Sequence, residues 1–119
     1  MKRRYRLRKN ADFQRVRLSG RSEANRQLVL VALPNKLDHS RFGFAVSKRI
    51  GKAVKRSKIK RQLREVVRLK QDLIEVGWDI LLIARVPIRK ASYQEMDRSV
   101  IYLLQKMELL SKPGTFRER

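Results

Sequence analysis

Apolar positions along this chain switch repeatedly between a helical period and strand-like runs, and each switch marks an element. Phe13 and Val16 share a face behind Asn10, which predicts a helix over 11–18 with Asn10 as N-cap and Gly20 as the C′ residue that ends it. The β-branched run Leu28 to Leu33 predicts a strand, and Pro34 to Ser40 carries turn chemistry. Phe42, Phe44 and Val46 then alternate with Gly43, Ala45 and Ser47, predicting a second strand. Its large residues pack, and its small-residue face suits either a close helix or an extended ligand. Ile59, Leu63, Val66 and Val67 fall on one arc of a helical wheel, so a long helix should end between Lys70 and Val76, before Gly77. Trp78 to Arg85 reads as a third strand, central because its apolar run is continuous, and stopped by Val86-Pro87. Ser92 and Glu95 have capping-box spacing ahead of a helix whose apolar side is Met96, Val100, Leu103, Leu104, Met107 and Leu110.

The predicted order is helix, strand, strand, helix, strand, helix: an α+β domain with helices layered on a mostly antiparallel sheet. A length of 119 residues with 42% apolar content fits one domain spanning 1–119. Residues 1–9 form a basic N-terminal arm, and 111–119, with Pro113-Gly114, read as a frayed tail.

Charge sharpens this picture. The chain carries 31 Lys and Arg against 11 Asp and Glu, a formal +20. On the long helix Lys60, Arg64 and Arg68 recur every four residues beside Arg61, forming a cationic stripe along the buried seam. Such a stripe alone is a solvated helix face. Here only Glu65 interrupts it, so the helix repels itself unless a polyanion is near, and a phosphate backbone is the partner that fits. No stretch approaches the ~20 apolar residues needed to span a bilayer, and no apolar segment follows the basic start as in a secretory signal. Cysteine is absent, which excludes disulfides, thiolate metal sites and a cysteine nucleophile. These features predict a cytoplasmic protein with no membrane partner.

Catalytic chemistry is missing from the pattern. His39 is the only histidine and lies in a turn beside Asp38, and the carboxylates are scattered, with no metal cluster or phosphate-cradling glycine loop. Trp78 reads as a packing anchor. Phe13 has two readings: buried core by its helical spacing, or an aromatic presented beside cations. Composition alone leaves a ribosomal or nucleoid-associated protein as the alternative to an RNA-assisting subunit.

The run Arg56-Ser57-Lys58-Ile59-Lys60-Arg61-Gln62-Leu63-Arg64-Glu65, preceded by Val46-Ser47-Lys48-Arg49-Ile50-Gly51-Lys52-Ala53-Val54, resembles the signature of the bacterial ribonuclease P protein subunit. Leu7 to Phe13, Asn25-Arg26 and Ile83-Ala84-Arg85 match that family in the same order. The resemblance implies a two-layer α/β sandwich of ribosomal-protein type with a left-handed crossover around the signature helix. It further implies a ribonucleoprotein endoribonuclease that removes the 5′ leader from precursor tRNA, in which an RNA subunit is the catalyst and Mg2+ serves the RNA. The protein itself would bind no cofactor, contribute no catalytic residue and need no protein partner. By the same resemblance Lys48, Arg49, Lys52, Lys55, Arg56, Ser57, Lys58, Lys60, Arg61, Arg64 and Arg68 face the catalytic RNA, and Phe13, Arg17, Val31 and Ser47 line the leader cleft. Two departures stand out. Ser57-Lys58 replaces the family's usual Asn-Arg, exchanging an amide and a bidentate guanidinium for a hydroxyl and a point charge. Arg17 and Val31 stand where relatives can carry aromatics, which shifts leader binding from stacking towards phosphate attraction.

Overall fold

The computed structural model describes residues 1–111. Three α-helices, α1 (Asn10–Ser19), α2 (Ala53–Lys70) and α3 (Tyr93–Lys106), accompany four strands, β1 (Arg21–Ala24), β2 (Leu28–Pro34), β3 (Arg41–Ala45) and β4 (Trp78–Ala84). The sheet order is β1-β2-β4-β3, with β1/β2 and β2/β4 antiparallel and β3/β4 parallel. β4 is therefore central, as its continuous apolar run predicts. β3 and β4 are joined through α2, the crossover that a parallel neighbour requires.

Strand alternation divides the core in two. Leu28, Leu30, Ala32, Phe42, Ile80 and Leu82 point to the face covered by α2 and α3, which bring Ile59, Leu63, Val66, Val67, Met96, Val100, Leu103 and Leu104 against them. On the opposite face α1 seats Val16 on Val31 and Leu81, with Leu7 closing the cluster. That second cover is partial: Val29, Ala45 and Ile83 stay half-buried on α1's side of the sheet.

Several local expectations are corrected. Asn10 is the first helical residue and Lys9 occupies the cap without a side-chain bond. Asp12 supplies the negative charge that the N-terminal dipole favours, and Arg15 holds it at 3.4 Å. Gly20 is not left-handed; its φ is −79°. It is small because a Cβ there would meet the carbonyl oxygen of Val16 at 2.6 Å and Val31 Cγ1 at 2.7 Å, as the chain turns directly into β1. β1 itself escapes prediction because Arg21-Ser22-Glu23-Ala24 has no apolar alternation; it is an edge strand held by backbone pairing to β2. α3 ends at Lys106, earlier than Leu110, and Leu110 instead bridges to Ile74. Ser111, expected in the frayed tail, donates its N–H to the Leu73 carbonyl at 2.8 Å. The rest of that tail lies outside the described residues.

The basic arm is built into the fold. Arg3–Tyr5 forms a 3-10 turn, Arg6 bridges to Phe42 parallel to β3, and the Leu7 N–H donates to the Phe42 carbonyl at 2.8 Å. His39 lies 2.8 Å from Asp38 and 3.2 Å from Arg4 and meets the Tyr5 ring edge-on, so the turn residue helps fasten the arm. The arm thereby caps the exposed edge of β3.

One buried carboxylate ties α1 to the sheet. Asp79 at the start of β4 is 0% exposed and accepts from Arg41 at 2.9 and 2.7 Å, Asn35 at 2.9 Å and Arg15 at 2.5 Å. Burial opposes its ionisation, but the bonds from Arg41, Asn35 and Arg15 outweigh it and hold its carboxyl below the ordinary aspartate value. Elsewhere the Ser92/Glu95 capping box is formed as its spacing predicts, and Lys70 pairs with Asp97 to pin the end of α2 to α3.

Candidate nucleic-acid interface

Of the signature cations, Lys48, Arg49 and Lys52 are exposed on the link between β3 and α2, and Ser57, Lys58 and Arg61 are exposed on α2 itself. Lys55 is half-buried. Arg56 is half-buried too, and its Nε donates to the Gly51 carbonyl at 3.1 Å, which fixes the guanidinium at the head of the helix. Arg68 is held by Glu65 at 2.9 and 2.6 Å, so the last cation of the stripe is locally neutralised. This pair is half in water, where such bridges contribute little to stability.

Lys60 and Arg64 turn a different way. They line a cleft of about 250 Å³ together with Arg6, Arg8, Leu7, Phe13, Phe42 and Phe44. The floor is aromatic and aliphatic, the walls are cationic, and no carboxylate among the described residues lines it. Arg64 lies with its guanidinium carbon 5.9 Å from the Phe44 ring centroid, a cation–π distance. Its Nε is buried without a hydrogen-bond partner among the described residues. Burial, then repulsion from Arg6, lowers its pKa from the ordinary value, and the guanidinium stays charged at neutral pH. An orphaned buried donor is costly. An anion in the cleft would satisfy it.

Phe13 is half-buried at the junction of this cleft with α1's face of the sheet. The small residue opposite it explains how it gets there: a Cβ on Gly43 would come within 2.9 Å of Phe13 Cε1 and 3.1 Å of Leu7 Cβ. Gly43→Ala should therefore displace the ring at a cost of about 1–3 kcal/mol, as overpacking does. Chemical denaturation checks the cost, and tryptic exposure of the arm checks the displacement. Phe13 thus packs against the α1-side cluster and also lines the cationic cleft.

The other residues that the resemblance assigns to a leader cleft divide. Arg17 and Ser47 are exposed. Val31 is 4% exposed beneath α1, so it serves as packing for the helix and is closed to a ligand. The half-buried strand positions on that face are Val29, Leu33, Ala45 and Ile83, none of which the resemblance places in the cleft. Arg6 and Arg8, which the sequence pattern leaves in the basic arm, also line the cleft. Their signal was their alternation about buried Leu7, the mark of an extended segment with both cations facing out.

Among the described residues no three His, Cys, Asp or Glu side chains gather in a way that could hold a metal ion, and no helix is long and apolar enough to cross a membrane. The sequence matches, over residues 1–108, the family model described as Ribonuclease P. The ribonuclease P protein component of Alkaliphilus oremlandii is 42% identical over 106 residues, covering 89% of this chain and 93% of that protein. The component from Geobacillus kaustophilus is 41% identical over 115 residues, covering 96% and 95%. The solved structure of the Staphylococcus aureus RNase P protein superposes with a TM-score of 0.84 at 41% identity, covering 90% of this chain and 98% of that one. A match through nearly every element described above, arm included, has one meaning: this chain belongs to the ribonuclease P protein component family.

Proposed function

We propose that this chain is the RNA-binding subunit of a cytoplasmic ribonucleoprotein endoribonuclease that removes the 5′ leader from precursor tRNA, with the RNA subunit as catalyst. The exposed cations of Lys48 to Arg61 dock on the catalytic RNA by phosphate contact. The leader runs along α1's half-open sheet face, past Phe13 and Arg17, into the cleft walled by Arg6, Arg8, Lys60 and Arg64. The observation that carries this reading is that cleft: an aromatic floor, four cations and an orphaned guanidinium N–H, the chemistry that takes a base face and a phosphate together. In this arrangement Lys60 and Arg64 serve both RNAs, because the stripe and the leader cleft meet along one side of α2. We assign the magnesium of the reaction to the RNA and give this chain no step through it. A ribosomal or nucleoid role loses its support once the signature is set in this family.

Leader binding is tested by precursor affinity of the reconstituted complex across a salt series. Arg17→Ala should flatten the salt slope by about 0.7, one single-strand phosphate contact, whereas Phe13→Ala should weaken binding by about 1–3 kcal/mol with the slope unchanged. Equal slopes for the two variants would sink the division of labour. Cleavage of precursor by the protein without any RNA would overturn the assignment of catalysis.

A further inference from the structure

A second groove, of about 460 Å³, opens at the end of the sheet and is lined by Arg26, Lys55, Val86, Pro87, Arg89 and Lys90. The topology gathers these residues from distant positions. Because β3 and β4 are parallel, both finish at this end, and antiparallel β2 begins there. The connection Val86–Lys90 leaves β4 and packs against the Lys48–Ile50 turn that leads to α2. Arg26 lies in the turn from β1 to β2, which Asn25 fastens by accepting from the Gln27 and Leu28 N–H groups at 3.0 and 2.9 Å. Arg85 closes the same turn, donating to the Asn25 carbonyl at 2.8 Å.

The groove is built and charged without an internal counter-ion. Ile88 is fully buried and anchors the Val86–Lys90 connection, so Arg89 and Lys90 project from a fixed base. No carboxylate lines the groove, and none of its four cations is in an ion pair among the described residues. Val86 keeps 42% of its surface exposed and with Pro87 gives the floor an apolar strip. Cations converging on such a floor repel one another until a polyanion lies among them. The half-open sheet face ends at this place, since half-buried Ala45 and Ile83 are the last positions of β3 and β4 on α1's side.

We propose that this groove binds the phosphates of the leader segment lying upstream of the sheet face, so that the protein grips a long leader at two stations. The inference rests on the leader reading above and extends it to Arg89 and Lys90, which lie outside the signature run, with Lys55 at the border between the two. The test compares precursors whose leaders stop on the sheet face with precursors whose leaders continue past it, using the reconstituted complex. Arg89→Ala/Lys90→Ala should weaken the long-leader precursor roughly 25-fold at ~0.1 M salt, with a slope shallower by about 1.4, and leave the short-leader precursor unchanged. Equal weakening of both precursors would assign the groove to the catalytic RNA and overturn the proposal, as would no change in either. Phe13→Ala separates the two levels. If it weakens both precursors while the double variant shows no length dependence, only this groove fails; if it affects neither, the leader reading fails and the groove with it.

Discussion

Asp79→Ala should lower the unfolding free energy by about 3 kcal/mol, near the lower end of what removing one partner of a buried ion pair costs. The carboxylate is 0% exposed and collects Arg15, Arg41 and Asn35 from three separate segments. Without it two guanidinium groups face each other over a void. Arg15 keeps 40% and Arg41 25% of their side-chain surface in water, which screens that repulsion and sets the expectation below the upper end of the range. In a domain of this size about 3 kcal/mol lowers Tm by roughly 10–20 °C. Scanning calorimetry reads it directly, and a loss under ~1 kcal/mol would show that Asp79 is an ordinary surface ion pair.

The sign of the pH dependence follows from the same contacts. Asp79 is held below its ordinary value in the folded chain, so its contribution is fully present above the unfolded aspartate pKa near 4 and is lost as pH falls through the lower, folded value. Asp79→Asn should flatten that acid limb of the stability curve while leaving the neutral-to-alkaline limb parallel to the parent. Because Arg15 belongs to α1, loosening this anchor also frees the helix that carries Phe13 and Arg17. The structural lesion should thus weaken leader binding without touching a binding residue.

Asp79 also marks the limit of what could be read from the residues. The helical stripe of α2, the central position of β4 and the α3 capping box were all legible, because period and capping are local properties of sequence. The partners of Asp79 lie 38, 44 and 64 residues away, a separation that no local pattern carries. The same applies to the arm: Arg6 and Arg8 looked like loose cations until Leu7 proved to be paired with Phe42. Val31 shows the opposite failure. Its match to a cleft position said which strand it belonged to, but α1 lies over that part of the sheet and leaves Val29 and Ile83 half-open in its place.

Replacing Arg56, Lys60, Arg61 and Arg64 together by glutamine should weaken assembly with the RNA subunit by about three decades at ~0.1 M salt. The magnitude comes from counterion release, in which each phosphate contact adds roughly 0.7–0.9 to the salt slope, so four contacts flatten it by about 3. Glutamine keeps the side chain polar and retains part of the aliphatic stem, so the loss measures charge more than packing. The four should not contribute alike. Arg61 is exposed and acts through charge alone, whereas Arg56 is pre-set by its bond to Gly51 and Arg64 by burial against Phe44. Arg64→Gln also removes the orphaned Nε–H, which relieves a cost in the free protein while deleting the donor that an RNA phosphate would satisfy. The free variant should consequently be as stable as the parent or more so, even as its RNA affinity falls. Arg68→Gln should change affinity little, since Glu65 already occupies that guanidinium. Titration of the labelled RNA subunit at several salt concentrations, beside thermal unfolding of the protein alone, measures both quantities. A quadruple variant that keeps the parent's salt slope would mean that α2 is only a solvated cationic helix.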